Sequence, residues 1–268
     1  MMTPNSNTDI RLLTGVTDEL IRVKLGTRNR FRIERDAMVR LVLTNDVAET
    51  ETDIVVDENA QLFLYEIVDI PDAVRHSRLH IQQSENAHVT VAQATLQGKE
   101  TLSDISVDLL APGAQVTLAG LSIVDDERQA TTRTHVRHLA PHCETFEIYK
   151  YILSDHANGV FDGLITVAPD AQKTVARQTN KNICLSPEAK MHAQPHLIIN
   201  ADDVVCNHGA TVGQLDTDAL FYMRQRGIPE AEARQLLLVA FLDDVESHFA
   251  DALRQDLRSR IEERLMTR

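Results

Sequence analysis

The chain has 268 residues, enough for one large solenoid or barrel or for two modest domains, and its 27 Lys and Arg against 40 Asp and Glu give a net charge of -13. That excess of acid opposes a sequence-independent hold on nucleic acid or anionic lipid, and aromatics at 4% with no tryptophan leave little for base stacking or sugar platforms. No apolar run reaches membrane-spanning length, and the three widely spaced cysteines suggest neither a disulfide framework nor a CxxC metal pair.

The opening MMTPNSNTDI lacks an apolar signal core, so the expected setting is the cytoplasm, with neither membrane nor nucleic acid among the partners. From Arg35 to Gln178 one phrase recurs, a turn residue, a small residue and then an alternating strand: RDAMVRLVL, ENAQLFLYE, ENAHVTVAQ, PGAQVTLAG, PHCETFEIY and PDAQKTVAR. Its small residues are Ala37, Ala60, Ala87, Ala114, Cys143 and Ala171, separated by 23, 27, 27, 29 and 28 residues. Near-constant spacing on this scale marks a solenoid, and each unit carries β-rich stretches without helical period. The expected fold is mainly β, a parallel β-helix over 1–215 with the small residues stacked where the interior is narrow, followed by a small C-terminal α-helical domain over 216–268. An antiparallel sandwich would also alternate but gives no reason for the recurring alanine.

Cys143 sits at a small position and reads as a buried hydrophobe; Cys184 has no recognisable partner. His135 and His138 fall on opposite strand faces, and Pro141 rules out a continuous helix to His142, so these histidines read as structural rather than as a metal cluster. His192 and His196 share strand parity, but no carboxylate or thiol is spaced along the chain to join them. The adjacent acids Asp125 and Asp126, Asp202 and Asp203, and Asp243 and Asp244 diverge in direction and read as solvated turns or helix faces.

The run Ala201 to Ile228, ADDVVCNHGATVGQLDTDALFYMRQRGI, is where strand gives way to helix. Val204, Cys206 and His208 alternate, so an extended chain aims thiol and imidazole at one face. Gly209 and Gly213 suggest a tight turn or a close backbone approach. Asp216 is the expected N-cap of a short helix that stops at Gly227 and Pro229. Beyond it, Ala233, Leu236, Leu237, Ala240, Phe241 and Val245 form one apolar stripe, and Leu253, Leu257, Ile261 and Leu265 a second after a break near 247–251. This tail is expected either to cover the open end of the solenoid or to present a surface to a partner.

The run from Asp202 through CNHGATVGQLD to LFYMRQRGI resembles the SufB/SufD family of iron-sulfur cluster assembly proteins, on its SufD side. The resemblance implies a right-handed β-helix and a non-catalytic scaffold that pairs with a SufB-like protein, or with a second copy of this chain, and recruits a SufC-like ATPase. The chain has no Gly-rich Lys-Ser/Thr phosphate loop of its own, so ATP hydrolysis would come from that partner. The resemblance puts a transient, nascent iron-sulfur cluster at the dimer interface, with His208 and the neighbouring Cys206 as metal ligands. On the tail it implies an ATPase-docking surface at Leu220, Phe221, Tyr222, Arg226, Leu236, Leu237 and Phe241. The SufB-type acids after the histidine are replaced by Gly209, and the SufB scaffold cysteine would fall near Asn180; both departures favour SufD. The chain opens directly into expected strands where SufD proteins usually carry an N-terminal helical region, so the resemblance implies a shortened form.

Two other classes are weighed against this. A β-helix enzyme acting on polysaccharide needs several acids or an Arg/Lys group converging on one exposed face across successive coils, and the repeats show no such column. A metal-dependent β enzyme needs three or more converging ligands, and only Cys206 and His208 are well placed.

Overall fold

The computed structural model describes residues 10–45 and 47–266. The opening residues 1–9, which carry the reading on a signal core, lie outside them. Strands β1 (Arg11–Leu13), β2 (Val16–Lys24), β3 (Arg28–Ile33), β4 (Met38–Thr44), β5 (Glu49–Val56) and β6 (Gln61–Asp69) begin the structure. Strands β7 (Val74–Gln83), β8 (His88–Gln97), β9 (Glu100–Leu109), β10 (Gln115–Val124) and β11 (Gln129–His138) continue it. Strands β12 (Glu144–Leu153), β13 (Asn158–Val167), β14 (Val175–Cys184), β15 (Lys190–Ile199) and β16 (Val205–Gly213) complete it. Odd-numbered strands form one eight-stranded sheet and even-numbered strands another, each in sequence order. The pairing is parallel, as between β10 and β12 or β11 and β13. This is the expected parallel β-solenoid, and its strands run further at both ends than the repeat phrase does.

The corner before each even strand explains the recurring phrase. Asp36, Asn59, Asn86 and His142 adopt left-handed φ of 59°, 57°, 53° and 58°, and Gly113 takes φ 76° at the same place. Asp and Asn tolerate this conformation better than most residues, and glycine adopts it freely. The next residue, Ala37, Ala60, Ala87, Ala114 or Cys143, is buried, and its carbonyl accepts from the following turn: Gln61 N at 2.8 Å, His88 N at 2.9 Å, Gln115 N at 2.9 Å, Glu144 N at 3.0 Å and Val175 N at 3.0 Å. Asn59 Nδ2 donates to Asp36 Oδ1 at 3.0 Å and Asn86 Nδ2 to Asn59 Oδ1 at 3.3 Å, so the corner side chains form a ladder. At Gly113 a Cβ would lie 2.2 Å from Asn86 Oδ1, which is why the ladder ends on glycine.

Ala171 departs from the expected series. It is buried and makes the same local turn bond, Ala171 N to Ala168 O at 3.0 Å, but Glu144 pairs with Val175, so Thr174 stands over Cys143. The carbonyl passed to the next turn is therefore that of Thr174, which accepts from Val205 N at 2.9 Å, and the left-handed residue is Lys173.

The inner faces of the two sheets enclose one apolar core, which includes Leu41, Leu64, Val91, Leu118, Ile54, Ile81, Val107, Val136 and Ile165. Three helices follow: α1 (Thr217–Gln225), α2 (Glu230–Glu246) and α3 (Asp251–Met266). Asp216 caps α1 by accepting from Asp218 N at 2.9 Å and Ala219 N at 3.0 Å, and Gly227 ends it at φ 86°, as expected.

The helices do not cover the solenoid end. Helices α2 and α3 lie on the outer face of the even sheet, where Leu238, Leu242, Val245, Phe249, Leu253, Leu257, Ile261 and Leu265 close a second core with Tyr65, Ala92, Ala94, Leu121, Ile123 and Ile148. The row from Leu253 to Leu265 is thus buried as expected. The stripe expected on α2 is corrected: Leu238, Val239 and Leu242 are buried with Ala233 and Val245, while Leu236 and Ala240 are exposed and Leu237 and Phe241 half-buried. Because the chain from Leu236 to Leu242 is apolar all round, periodicity alone does not choose the face that meets the sheet. Asp125 is also not a solvated turn residue. It is 1% exposed and bonded to Arg128 and to Arg264, which ties α3 to the solenoid.

Candidate functional site

The last turn of the solenoid is built from β15 and β16, and among the described residues β16 pairs with β14 alone, leaving its other edge open. The register sets Cys206 beside Ala176, His208 beside Gln178, Ala210 beside Asn180 and Val212 beside Asn182. All four β14 residues are buried inner-face positions, so Cys206 and His208 share the inward face, as their spacing predicts. Cys206 is half-buried against the solenoid core, and His208 is exposed.

His208 Nδ1 lies 3.0 Å from the carbonyl oxygen of Pro195 on β15. A carbonyl only accepts, so Nδ1 carries the proton, and in the neutral ring Nε2 keeps its lone pair. This fixing of the tautomer by a backbone carbonyl is the arrangement usual behind a metal-ligating histidine. Burial pushes the Cys206 thiol up, partly offset by its hydrogen bond with the Ala176 backbone, so a metal would have to displace its proton. Among the described residues no group of three or more His, Cys, Asp or Glu can hold a metal ion. Thiol and imidazole are two of the ligand types that suit iron-sulfur chemistry.

Gly209 and Gly213 do not have the role expected of them. Neither has positive φ, and a Cβ at either would meet nothing within 4 Å. Their effect is to leave the exposed strand smooth, beside uncovered Ile198, Ile199, Val205 and Val212. Asn180 is fully buried, donating to Tyr149 O at 3.1 Å and accepting from Asn182 Nδ2 at 2.5 Å.

The polar interior beneath this turn is not legible from single-strand patterns. Gln178 Nε2 donates to Glu147 Oε2 at 2.8 Å and Thr134 Oγ1 to the same oxygen at 2.9 Å. Burial pushes the Glu147 carboxyl up to about 7 although both donors pull it down. The one signal was ETFEIYKYIL, in which Glu147 shares the strand parity of Tyr149 and Tyr151 rather than that of the outward residues.

Of the residues proposed to meet a partner, Phe221 and Tyr222 are 61% and 59% exposed and Leu236 is 47% exposed. Helix α1 buries none of its residues. The Arg226 guanidinium lies 5.2 Å from the Tyr222 ring centroid and donates to its hydroxyl at 3.1 Å, and Leu220, Leu237 and Phe241 are half-buried. Lys150, nearly buried on β12, reaches across to α2: its Nζ donates to Phe241 O at 2.5 Å, lies 2.7 Å from Asp244 Oδ1 and sits 4.6 Å from the Phe241 ring centroid.

A charged column does run along the outer face of the odd sheet, beside a groove of about 490 Å3, but it is not a column of acids. Register sets Arg28, Glu51, Arg78, Asp104, Arg133 and Asp162 side by side across six strands. The signs alternate, with Arg28 and Glu51 3.3 Å apart and Arg133 and Asp104 3.6 Å apart. The histidine readings hold here: His135 faces outward to Thr166, while His138 is fully buried between Thr145 and Thr174. Across the turns, Asp162 comes within 4.0 Å of His196, a pairing invisible along the chain.

A parallel β-solenoid with helices clamped to one sheet defines the class, a β-helical protein with a small helical C-terminal region. Residues 20–241 match the SUF system FeS cluster assembly, SufBD core domain. The chain belongs to that family. It is 35% identical over 171 residues to the iron-sulfur cluster assembly protein SufD of Escherichia coli, covering 63% of this chain and 40% of that protein. It is 30% identical over 226 residues to an iron-sulfur cluster assembly SufBD family protein of Mycobacterium leprae, covering 80% of this chain and 57% of that one. With the SufD of Bacillus subtilis it shares 26% over 184 residues, 68% of this chain and 42% of the relative. The chain thus spans about half the length of the relatives it matches.

Proposed function

We propose that this chain is a non-catalytic scaffold subunit of a SUF-type iron-sulfur cluster assembly complex. The reading is carried by one observation, that the strand bearing Cys206 and His208 is the unpaired edge of the final turn. Such an edge offers a row of free backbone donors and acceptors on which another sheet can continue. The flat run at Gly209, Ala210 and Gly213 and the uncovered Ile198, Ile199, Val205 and Val212 suit close approach of a second solenoid, a SufB-like protein or another copy of this chain. Docking there would bring ligands from two chains around one nascent cluster, to which Cys206 contributes sulfur and His208 its Nε2.

A SufC-like ATPase is recruited by the exposed faces of α1 and α2, with Phe221, Tyr222 and Leu236 as the central contacts. No helix among the described residues is long and apolar enough to cross a membrane, consistent with assembly in the cytoplasm. The test is to purify the intact complex with Cys206→Ser or His208→Ala and to follow cluster formation by absorbance and growth under iron limitation. Partner binding should persist while cluster yield falls at least several-fold. Normal cluster yield from both variants would place the ligands elsewhere.

A further inference from the structure

A cavity away from the open end gives an inference independent of the assembly reading. Between the sheets, at the corner where β6, β8 and β10 end and β7, β9 and β11 begin, lies a cavity with about 30 Å3 available to water centres. That is room for one or two water-sized molecules. Its lining is mixed, with Val68, Ala94, Leu121 and Ala130 beside the polar Glu66, Arg75, Gln93, Ser103, Ser122 and Tyr149. Glu66 is 5% and Arg75 8% exposed, and they are hydrogen-bonded to one another, so neither charge is left over.

Three of the acceptors that line it are occupied. Glu66 Oε1 takes Arg75, Glu66 Oε2 takes Gln93 Nε2 at 2.8 Å, and Gln93 Oε1 takes Ser103 Oγ at 3.3 Å. Two donors have no hydrogen-bond partner among the described residues, Arg75 Nε and the Tyr149 hydroxyl. Tyr149 is 2% exposed and comes from β12, yet lines a cavity otherwise made by earlier strands. It reaches there because its ring lies over Gly120, where a Cβ would stand 2.3 Å from Tyr149 Cε1. Phe161 supports the other side of the ring, with centroids 5.0 Å apart. A buried donor left unmet forfeits the hydrogen bond it made to water, so these two donors define what is missing, an acceptor.

We propose that the cavity is a binding site for a small hydrogen-bond acceptor, a water molecule or a monovalent anion of similar size, held by Arg75 Nε–H and the Tyr149 hydroxyl. Its charge is already balanced by the Glu66–Arg75 pair, which keeps the ligand to water or one weakly hydrated anion and excludes phosphate by size.

The experiment is a pair of crystal structures of the full chain, one grown in bromide and one without halide. Expected is a density peak within hydrogen-bond distance of both donors. An anomalous signal from it in bromide identifies an anion, and a peak of equal strength without halide and without that signal identifies water. No peak in either crystal, or Arg75 Nε and Tyr149 Oη bonded to protein atoms instead, overturns the proposal. Tyr149→Phe, which keeps the ring over Gly120, should weaken or remove the peak; an unchanged peak would remove Tyr149 from the site.

Discussion

Glu147→Gln separates a buried carboxyl group from the packing around it. Glu147 lies fully enclosed on the inner face of β12, bonded to Thr134 and Gln178 but to no cation among the described residues. Burial raises it from 4.5 to about 7, so the folded chain keeps a proton that the unfolded chain releases. Its contribution to stability is therefore full below about pH 4.5 and is lost as the pH rises to about 7. A gap of about 2.5 pH units at about 1.4 kcal/mol per unit corresponds to about 3 kcal/mol. His138 runs the other way. Burial lowers it from 6.5 to about 4, so its contribution is full above pH 6.5 and is lost as the pH falls toward 4. In the overlap the two slopes oppose, and the parent protein alone shows little pH dependence from this pair. Subtraction isolates Glu147, because His138 is common to both proteins. Urea unfolding followed by circular dichroism should show Glu147→Gln more stable than the parent by about 3 kcal/mol at pH 8 and by less than about 1 kcal/mol at pH 5. A difference of equal size at both values would mean that Glu147 is solvated or paired in solution, and the reasoning would fail.

Ala87→Leu should overpack the stacked corner and cost about 1–3 kcal/mol in the same unfolding assay; no loss would mean that Ala87 faces solvent. Leu257→Ala, beneath α3, should cost about 2–5 kcal/mol by opening a cavity in the second core. Because α2 and α3 cover apolar outer positions of the even sheet, cutting the chain before α1 would uncover that face, so the proposed ATPase surface is better probed by Phe221→Asp with Leu236→Asp. These two should abolish capture of a SufC-like protein while leaving the circular dichroism spectrum and melting temperature unchanged; retained capture would move the interface onto the solenoid. Lys150→Met should keep the fold but lower affinity for the same ATPase several-fold by freeing Phe241 and Asp244, whereas undiminished binding would show that Lys150 serves stability alone.

The solenoid was legible because each corner needs a left-handed residue followed by a small buried one, a local demand that leaves a local mark at Asp36-Ala37 or Asn86-Ala87. The same locality misled at Ala171, which makes the corner's turn bond but not its inter-turn bond, since register is decided against the neighbouring turn and not within the phrase. Cys206 and His208 were legible as a same-face pair because strand period suffices. What lay across turns was not: the Arg28 to Asp162 column, the Glu147–Gln178–Thr134 cluster and the Lys150 reach to α2 join residues from separate strands or elements. Helix α2 was readable as a helix but not in its orientation, because Leu236 to Leu242 offers an apolar residue in every direction.

The stack of corner carbonyls makes the length of this protein a quantised property in evolution. Each turn hands one carbonyl to the next, from Ala37 to Gln61 and onward to Val205, and touches little beyond its neighbours. A duplicated or deleted stretch that comprises a whole turn restores every handover and leaves the terminal turn unaltered. One inserted residue inside a strand instead reverses inside and outside for every position beyond it within that strand. Insertions of other sizes fit only at the corners, where the longer corner between Ala171 and Thr174 shows there is room, and lineages of such chains should therefore differ by turns and by corner loops while the Cys206–His208 edge keeps its form.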